Sequence, residues 1–471
     1  MEDEFSGLFY NGEFQELVGR FEDMLKRKEQ YFFDVSELES IIDYYMDMNK
    51  ANNALYAVHY ASKLHPSATS IELKRAQVYL DKGMAKKTLA ILQRVEPIEA
   101  LNADVYLLKG TALNMIGKYD EAKSAFNMAI DYAEDDRVDI IHTVAHEFEQ
   151  LGKYQTSLSY LEAAYQLEPD NMMLIYDIGY TYEKLGKIDK SIEYYNKYLD
   201  IEPFSDSAWY NLGALYQKNA MLDKAIDAYE FALAINPHFS IGYFQLGTVW
   251  MEKDTYEKAI TSFLDYLDQE KNNAEAFVKL GDCYFETKQW ADSYAYYQKA
   301  LGVEKDNVDA YYGLATVLFE KGEWKEAKLR IEKAIVLEEA TAEFHSLRGD
   351  IALKMGNAKE ALDAYKIAVD LAPDNLDYVF ILADLYKEMG ILDKALKLLI
   401  DAQLDFPKEA SVAFRIAGYY LLADKPEKAA PLAEKGLELS PKKYTQMIYV
   451  CPQALAFPKI LELVSKYLPN P

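Results

Sequence analysis

The chain has 471 residues and a formal net charge of −26, with 77 Asp and Glu against 51 Lys and Arg. So acidic a balance repels nucleic acid and anionic membranes, both of which are held through basic patches. Half of the residues are hydrophobic and 14% are aromatic, enough to fill a continuous core, and no run of 18 apolar residues offers a transmembrane helix.

The opening segment MEDEFSGLFY is acidic. It lacks a basic region followed by an apolar one, so it does not read as a secretory signal. The two cysteines, Cys283 and Cys451, lie far apart. They predict neither a disulfide framework nor a metal site, which fits a reducing, cytoplasmic setting. Residues 1–34 carry half of a degenerate repeat, with Gly12 at a turn and Leu17, Phe21 and Met24 spaced along the packing face of one helix.

From Val35 to Lys443 a 34-residue pattern recurs twelve times, starting at Val35, Thr69, Ala103, Val138, Met172, Asp206, Ser240, Ala274, Val308, Ala342, Leu376 and Ala410. Position eight is Gly or Ala in all copies but the first, which has Ile42. Position twenty is always Ala, Ser or Thr, as at Thr88, Ser191 and Ala225. Small residues at fixed places let two helix backbones approach closely. Position twenty-four is large and apolar except at Ala433, and fills the gap that the small residues leave. Gly at position fifteen in seven copies marks a left-handed helix end. Pro near the close of seven copies, from Pro66 to Pro441, marks the exit from a second helix. The copy at Ala103 needs one extra residue near Glu134-Asp135-Asp136. Three consecutive copies, from Ser240 to Thr341, lack the closing Pro, and two of them carry Asp254 and Lys288 in place of the turn Gly. Either a softer middle or plain sequence drift accounts for that.

A fixed period of this length predicts stacked two-helix units that bury a core only by stacking. With Trp209, Leu212-Gly213, Tyr216, Ala225, Tyr229, Ala232 and Pro237 in one copy, the pattern resembles the tetratricopeptide-repeat family over residues 35–443. The resemblance implies an all-α, right-handed superhelical solenoid of helix-turn-helix repeats, whose first helices line a concave groove. It also implies the family's usual task, holding an extended peptide or partner segment in that groove. After Lys443 the pattern fails, because Pro452 falls where a first helix should continue. Pro458 then opens a short helix offering Ile460, Leu461, Leu463, Val464 and Tyr467 to one face. Residues 1–34 and 444–471 therefore read as caps on either side of the twelve repeats.

Positions two, five, nine and twelve or thirteen of each first helix share one stripe, and the resemblance points that stripe into the groove. Aromatic rings stand at Tyr176, Tyr210, Phe244, Tyr312, Phe380 and Phe414 (position five), at Tyr180 (nine) and at Phe285 and Phe319 (twelve). A ladder of rings suits an extended ligand; packing between neighbouring first helices is the competing use. Acids exceed bases along the stripe, with Asp282, Asp350 and Asp384 at position nine, so the expected partner is a protein segment with apolar and basic residues. The lysine and asparagine set by which one subgroup clamps chaperone tails does not occur. Of the groove asparagines of a sugar-transferring subgroup, only Asn211 matches.

His142 and His146 lie four apart, with Asp139 three before and Glu149 three after. Imidazoles at that spacing can share a divalent ion, yet the order H-T-V-A-H-E lacks the helical base of the zinc proteases, and hydrogen bonding to neighbours is the competing role. No phosphate-cradling Gly loop or nucleophile elbow is present, so no catalytic residue and no cofactor is expected. The chain reads as a non-enzymatic scaffold or adaptor. The alternative is a structural subunit that self-associates, or joins a larger complex, with no peptide in its groove.

Overall fold

The computed structural model describes residues 12–468, and every regular element among them is helical. The acidic opening segment lies outside the described residues. The chain divides into two compact units, Met1–Met221 and Leu222–Pro471, with the boundary between the two helices of the Asp206 repeat.

In the first unit a helix at Gly12–Arg27 precedes five helical hairpins and the helix Asp206–Lys218. In the second, Leu222–Ile235 precedes six hairpins and two short terminal helices, Thr445–Val450 and Pro458–Tyr467. The helix starts coincide with the repeat starts in eleven of the twelve copies. The exception is the fourth, which begins at Arg137 rather than Val138 and runs 14 residues to Gln150. The extra residue is thus absorbed by the preceding turn and one added helical residue.

Side chains at the entry cap most first helices, whose leading N–H groups have no partner inside the helix. Asp34 forms a reciprocal capping box with Glu37, and Asn102, Asn171, Ser205, Asn273, Asn307 and Asn375 accept from backbone N–H groups in the first turn. Each first helix ends in a left-handed residue at position fifteen. Seven are the glycines the sequence offers; the other five are Asn49, Ala220, Asp254, Lys288 and Asp424, with φ between 51° and 59°. The next residue closes the turn by donating back five residues, as from Lys50 N to Tyr45 O at 2.7 Å and from Gln289 N to Tyr284 O at 2.8 Å. The Ser240–Thr341 stretch keeps this turn geometry, with Asp254 and Lys288 in place of two glycines and Gly322 at the third turn.

Holding Ala220 left-handed sets its Cβ against the neighbouring carbonyl, a strain of roughly 1–2 kcal/mol, whereas Gly gives back about 0.5–1 kcal/mol in chain entropy. We expect Ala220→Gly to stabilise the protein by about 0.5–1 kcal/mol, read from the denaturant midpoint. A lower midpoint would show that the strain at Ala220 is smaller than the chain entropy that Gly costs.

The twelve position-twenty residues are all fully buried. Where that residue is polar its hydroxyl is satisfied inside the hairpin: Thr88, Ser191 and Ser293 donate to the position-eight carbonyls of Ala76, Gly179 and Gly281 at 2.7–3.0 Å, and Ser157 donates to Glu149 at 3.0 Å. The position-twenty-four side chains lie over position eight. A methyl added to Gly281 would come within 2.5 Å of the Tyr297 ring.

Ala433 leaves that place empty in the last repeat, and Phe414 of the first helix fills it. Phe414 is fully buried, against Gly436. It is therefore a core residue and not a groove contact.

At the N-terminal end Phe21 and Met24 are buried with Phe33, Leu38, Ile41 and Tyr45 of the first repeat. At the C-terminal end Ile460 and Val464 are buried on the last repeat, whereas Leu461 is 44% exposed and turns away from it.

Candidate functional site

The first helices of three successive repeats, Arg137–Gln150, Met172–Lys184 and Asp206–Lys218, line one open cavity of about 660 Å³. Tyr176, Asp177, Tyr180, Glu183 and Lys184 come from the middle helix; His146, Glu149 and Gln150 from the one before; Asn211 from the one after; Tyr154 completes the wall. Tyr176 and Tyr180, four apart, fall on one helix face, so two of the expected ring contacts are brought together here.

Tyr176 also braces its own hairpin. Its ring meets Tyr195 and Tyr198 edge-on at 5.4 and 5.2 Å, and its hydroxyl accepts from Asn211 at 2.8 Å. Burial raises its phenol pKa. Tyr180 is the freer ring, and the Lys184 ammonium lies 4.7 Å from its centroid. Glu149 is held in place by Thr181 and Ser157, whose hydroxyls donate to one of its oxygens at 2.6 and 3.0 Å. Asp177 meets the His142 Nε2 at 2.5 Å. That hydrogen bond raises the His142 pKa, against the opposing effect of its burial.

These contacts give the two histidines partners other than an ion. His142 is committed to Asp177, while His146 lies 3.6 Å from Glu149 and 3.1 Å from Gln150, and Asp139 is exposed. Among the described residues no three His, Cys, Asp or Glu side chains gather where they could hold an ion.

The other ring positions are half-buried and mostly engaged. Phe244 packs on Phe263 and Tyr266 of its own hairpin at 5.5 and 5.2 Å. Tyr312 packs on Phe344 of the next repeat at 5.1 Å, and Phe285 lies 5.0 Å from Trp290. Phe319 joins the cluster around Ala315 and Ile331. Phe380 lies under the Arg415 guanidinium at 4.2 Å. Tyr210 is half-buried as well, with partners of its own.

The position-nine aspartates serve the hairpins. Asp282 accepts from Tyr297 at 2.7 Å and Asp350 from Tyr365 at 2.6 Å, each bond joining positions nine and twenty-four of one repeat. Burial pushes the Asp282 carboxyl up to about 6 and raises that of Asp350. Asp384 is paired with Arg415 at 3.0 Å and accepts from Tyr419 at 3.1 Å. Their expected role of attracting a basic partner is thus largely taken up by internal bonds. The acids that line the cavity are Asp177 and Glu183, with Glu149 behind them. Sequence reasoning did not single out these two, whose signal was an acid at positions six and twelve beside two tyrosines on one helix.

Sequence models described as tetratricopeptide repeat match residues 138–171, 174–205, 207–239, 256–310, 288–351 and 352–414, and one described as a tetratricopeptide repeat-like domain matches residues 44–153. No curated protein sequence matches the chain. Among solved structures it is similar to a tetratricopeptide repeat protein from Parabacteroides merdae, with 21% identity, 53% of this chain and 98% of that chain covered, and a TM-score of 0.43. It is also similar to pilF of Pseudomonas aeruginosa, with 20% identity, 45% and 97% covered, and a TM-score of 0.39. Similarity to a MamA protein has 24% identity, 37% and 94% covered, and a TM-score of 0.34.

Proposed function

Because this chain belongs to the tetratricopeptide-repeat family, whose members generally mediate protein–protein interaction, we propose that it is a non-enzymatic scaffold that holds an extended segment of a partner protein along its first helices. The observation that carries this reading is the open cavity walled by three successive first helices, with Tyr176 and Tyr180 on one face. Its volume of about 660 Å³ falls in the ~300–1,000 Å³ range of ligand sites. Tyrosines give large contact area at low entropic cost. No set of groups for nucleophilic, acid–base or metal chemistry is part of the reading. Both cysteines are free and buried, in keeping with a reducing, cytoplasmic setting, and no helix among the described residues is long and apolar enough to cross a membrane.

The second reading, a subunit that self-associates or builds into a larger complex, draws on apolar side chains left on second helices. Val336 and Leu404 are 77% and 76% exposed. One experiment separates the two. Tyr180→Ala with Gln150→Ala changes only cavity-facing groups, and Val336→Ser with Leu404→Ser changes only the second helices. We expect the first pair to remove most recovery of co-purifying proteins and the second pair to leave it intact, with helical content unchanged in both. The opposite pattern, accompanied by a change in oligomeric state on size-exclusion chromatography, would overturn the groove reading in favour of assembly.

A further inference from the structure

The cavity between the repeats at Val138, Met172 and Asp206 has a charge and shape of its own. Three carboxylates line it, Glu149, Asp177 and Glu183, against one lysine, Lys184. None is deeply buried in its own side chain except Glu149, and Asp177 and Glu183 keep about 30% and 29% of theirs exposed to the opening. Lys184 already sits where a cation is favoured, 4.7 Å from the Tyr180 ring centroid and 3.8 Å from Glu183 Oε1. The chain's own side chain thus marks a place with an aromatic face below and a carboxylate beside it. Only one oxygen of Asp177 is committed to His142, and Asn211, which donates to Tyr176 and Tyr195, keeps its carbonyl oxygen as an acceptor.

From this we infer that the cavity takes an arginine side chain of the partner segment. The inference rests on the groove reading above and adds the chemistry of one pocket to it. An apolar side chain here would strip water from Asp177 and Glu183 without replacing its hydrogen bonds, and an acidic one would be repelled. A guanidinium is planar and permanently charged. It stacks on a tyrosine face and forks across a carboxylate in two parallel bonds. Tyr180 supplies the face, and Glu183 and Asp177 the acceptors. Lys184 competes for the same place, so its removal opens the pocket to an incoming cation. In the second unit the position-nine carboxylates Asp282, Asp350 and Asp384 are instead bonded to tyrosines and Arg415.

The test pans a random dodecapeptide phage library against the full chain and measures selected peptides by fluorescence anisotropy. Arginine is expected at one fixed place in the selected peptides, with affinity lost on Tyr180→Ala. Glu183→Gln, which has no partner besides Lys184 to disturb, should weaken those peptides roughly tenfold, the effect of one charged hydrogen bond, and Lys184→Ala should tighten them. A peptide whose arginine is replaced by alanine should not respond to Glu183→Gln. Peptides that depend on Tyr180 but carry no basic residue, or ignore Glu183→Gln, overturn the arginine pocket and leave the groove reading standing. Peptides indifferent to Tyr180→Ala, or a library that yields none, overturn the groove reading and the pocket with it.

Discussion

Tyr297→Ala should destabilise the second unit by about 3–5 kcal/mol, the usual cost of emptying the site of a buried ring. Tyr297 is nearly inaccessible, and its ring lies between Gly281 of its own repeat and Gly313 of the next. Added methyls at either glycine would collide with that ring, so two backbones already approach it as closely as they can and cannot collapse into the hole. The hydroxyl donates to Asp282 at 2.7 Å, and the alanine variant would leave that half-buried carboxylate without its partner. Tyr297→Phe keeps the ring and removes only the donor, so its cost should be nearer 1–3 kcal/mol. The pH dependence separates the two effects. Burial raises the Asp282 pKa from 3.8 to about 6, while the tyrosine bond pulls it down. Between those two values the folded chain binds more protons than the unfolded one at this residue. Its contribution is therefore fully present below 3.8 and lost as pH rises through about 6. Asp282→Asn should flatten that limb, and Tyr297→Phe should move it to higher pH. Denaturant melts at pH 5 and pH 7.5 read all three variants. A Tyr297→Ala protein as stable as the parent would mean that position twenty-four is not the plug of the hairpin.

The phase of the repeats was legible because it depends on volume. A small residue every 34 positions, matched by a large one, has few explanations other than two close helices and their wedge, and Thr88, Ser157, Ala225 and Tyr195 are buried as that rule requires. The turn was legible only in part. Seven glycines announced it, but five other residues adopt the same left-handed conformation: Asn49, Asp254 and Asp424, whose short polar side chains tolerate it, and Ala220 and Lys288, held there by the hairpin packing on either side. The site was harder, since a position on a helix gives a direction but not a partner. Asp282 and Asp350 do lie on the stripe that was read as groove, yet each is within reach of a tyrosine on the second helix of the same hairpin, and burial favours that bond. Phe414 was misplaced for a reason visible only in three dimensions: Ala433 is too small for the gap, so a ring from the other helix occupies it. The cavity with Asp177 and Glu183 needs three helices from three repeats, and no single-repeat pattern describes it.

Deleting residues 444–471 should cost the last repeat its structure. Its first helix, Ala410–Leu422, is buried along nearly its whole length, Phe414, Ala417 and Leu421 included. The tail covers both helices of that repeat, Thr445–Val450 lying on the first and Pro458–Tyr467 on the second, Pro426–Leu439, and Met447, Val450, Cys451, Ala454, Ile460 and Val464 are all buried. The approach is close, for a methyl on Gly418 would come within 2.9 Å of the Met447 carbonyl oxygen. Arg415 is tied to the tail as well, donating from Nε to Gln446 at 2.9 Å. Burying an aliphatic side chain is worth about 1.5–3 kcal/mol, so Met447, Val450, Ile460 and Val464 together outweigh what a single isolated hairpin could supply. Most of the outer surface of the final helix is polar, with Lys459, Glu462, Ser465 and Lys466 exposed, as the end of a stack requires. We propose that the tail acts as a cap, so that the truncated chain should lose more helical signal than its missing 28 residues carried, or aggregate. Ile460→Asp with Val464→Asp should do the same with the full length retained, because it places two charges against Leu437 and Phe414 in one cluster. Circular dichroism with size-exclusion chromatography reads both. A soluble, monomeric truncation whose helicity falls only in proportion to its length would show that the last repeat stands without its cover, and that the tail has some other use.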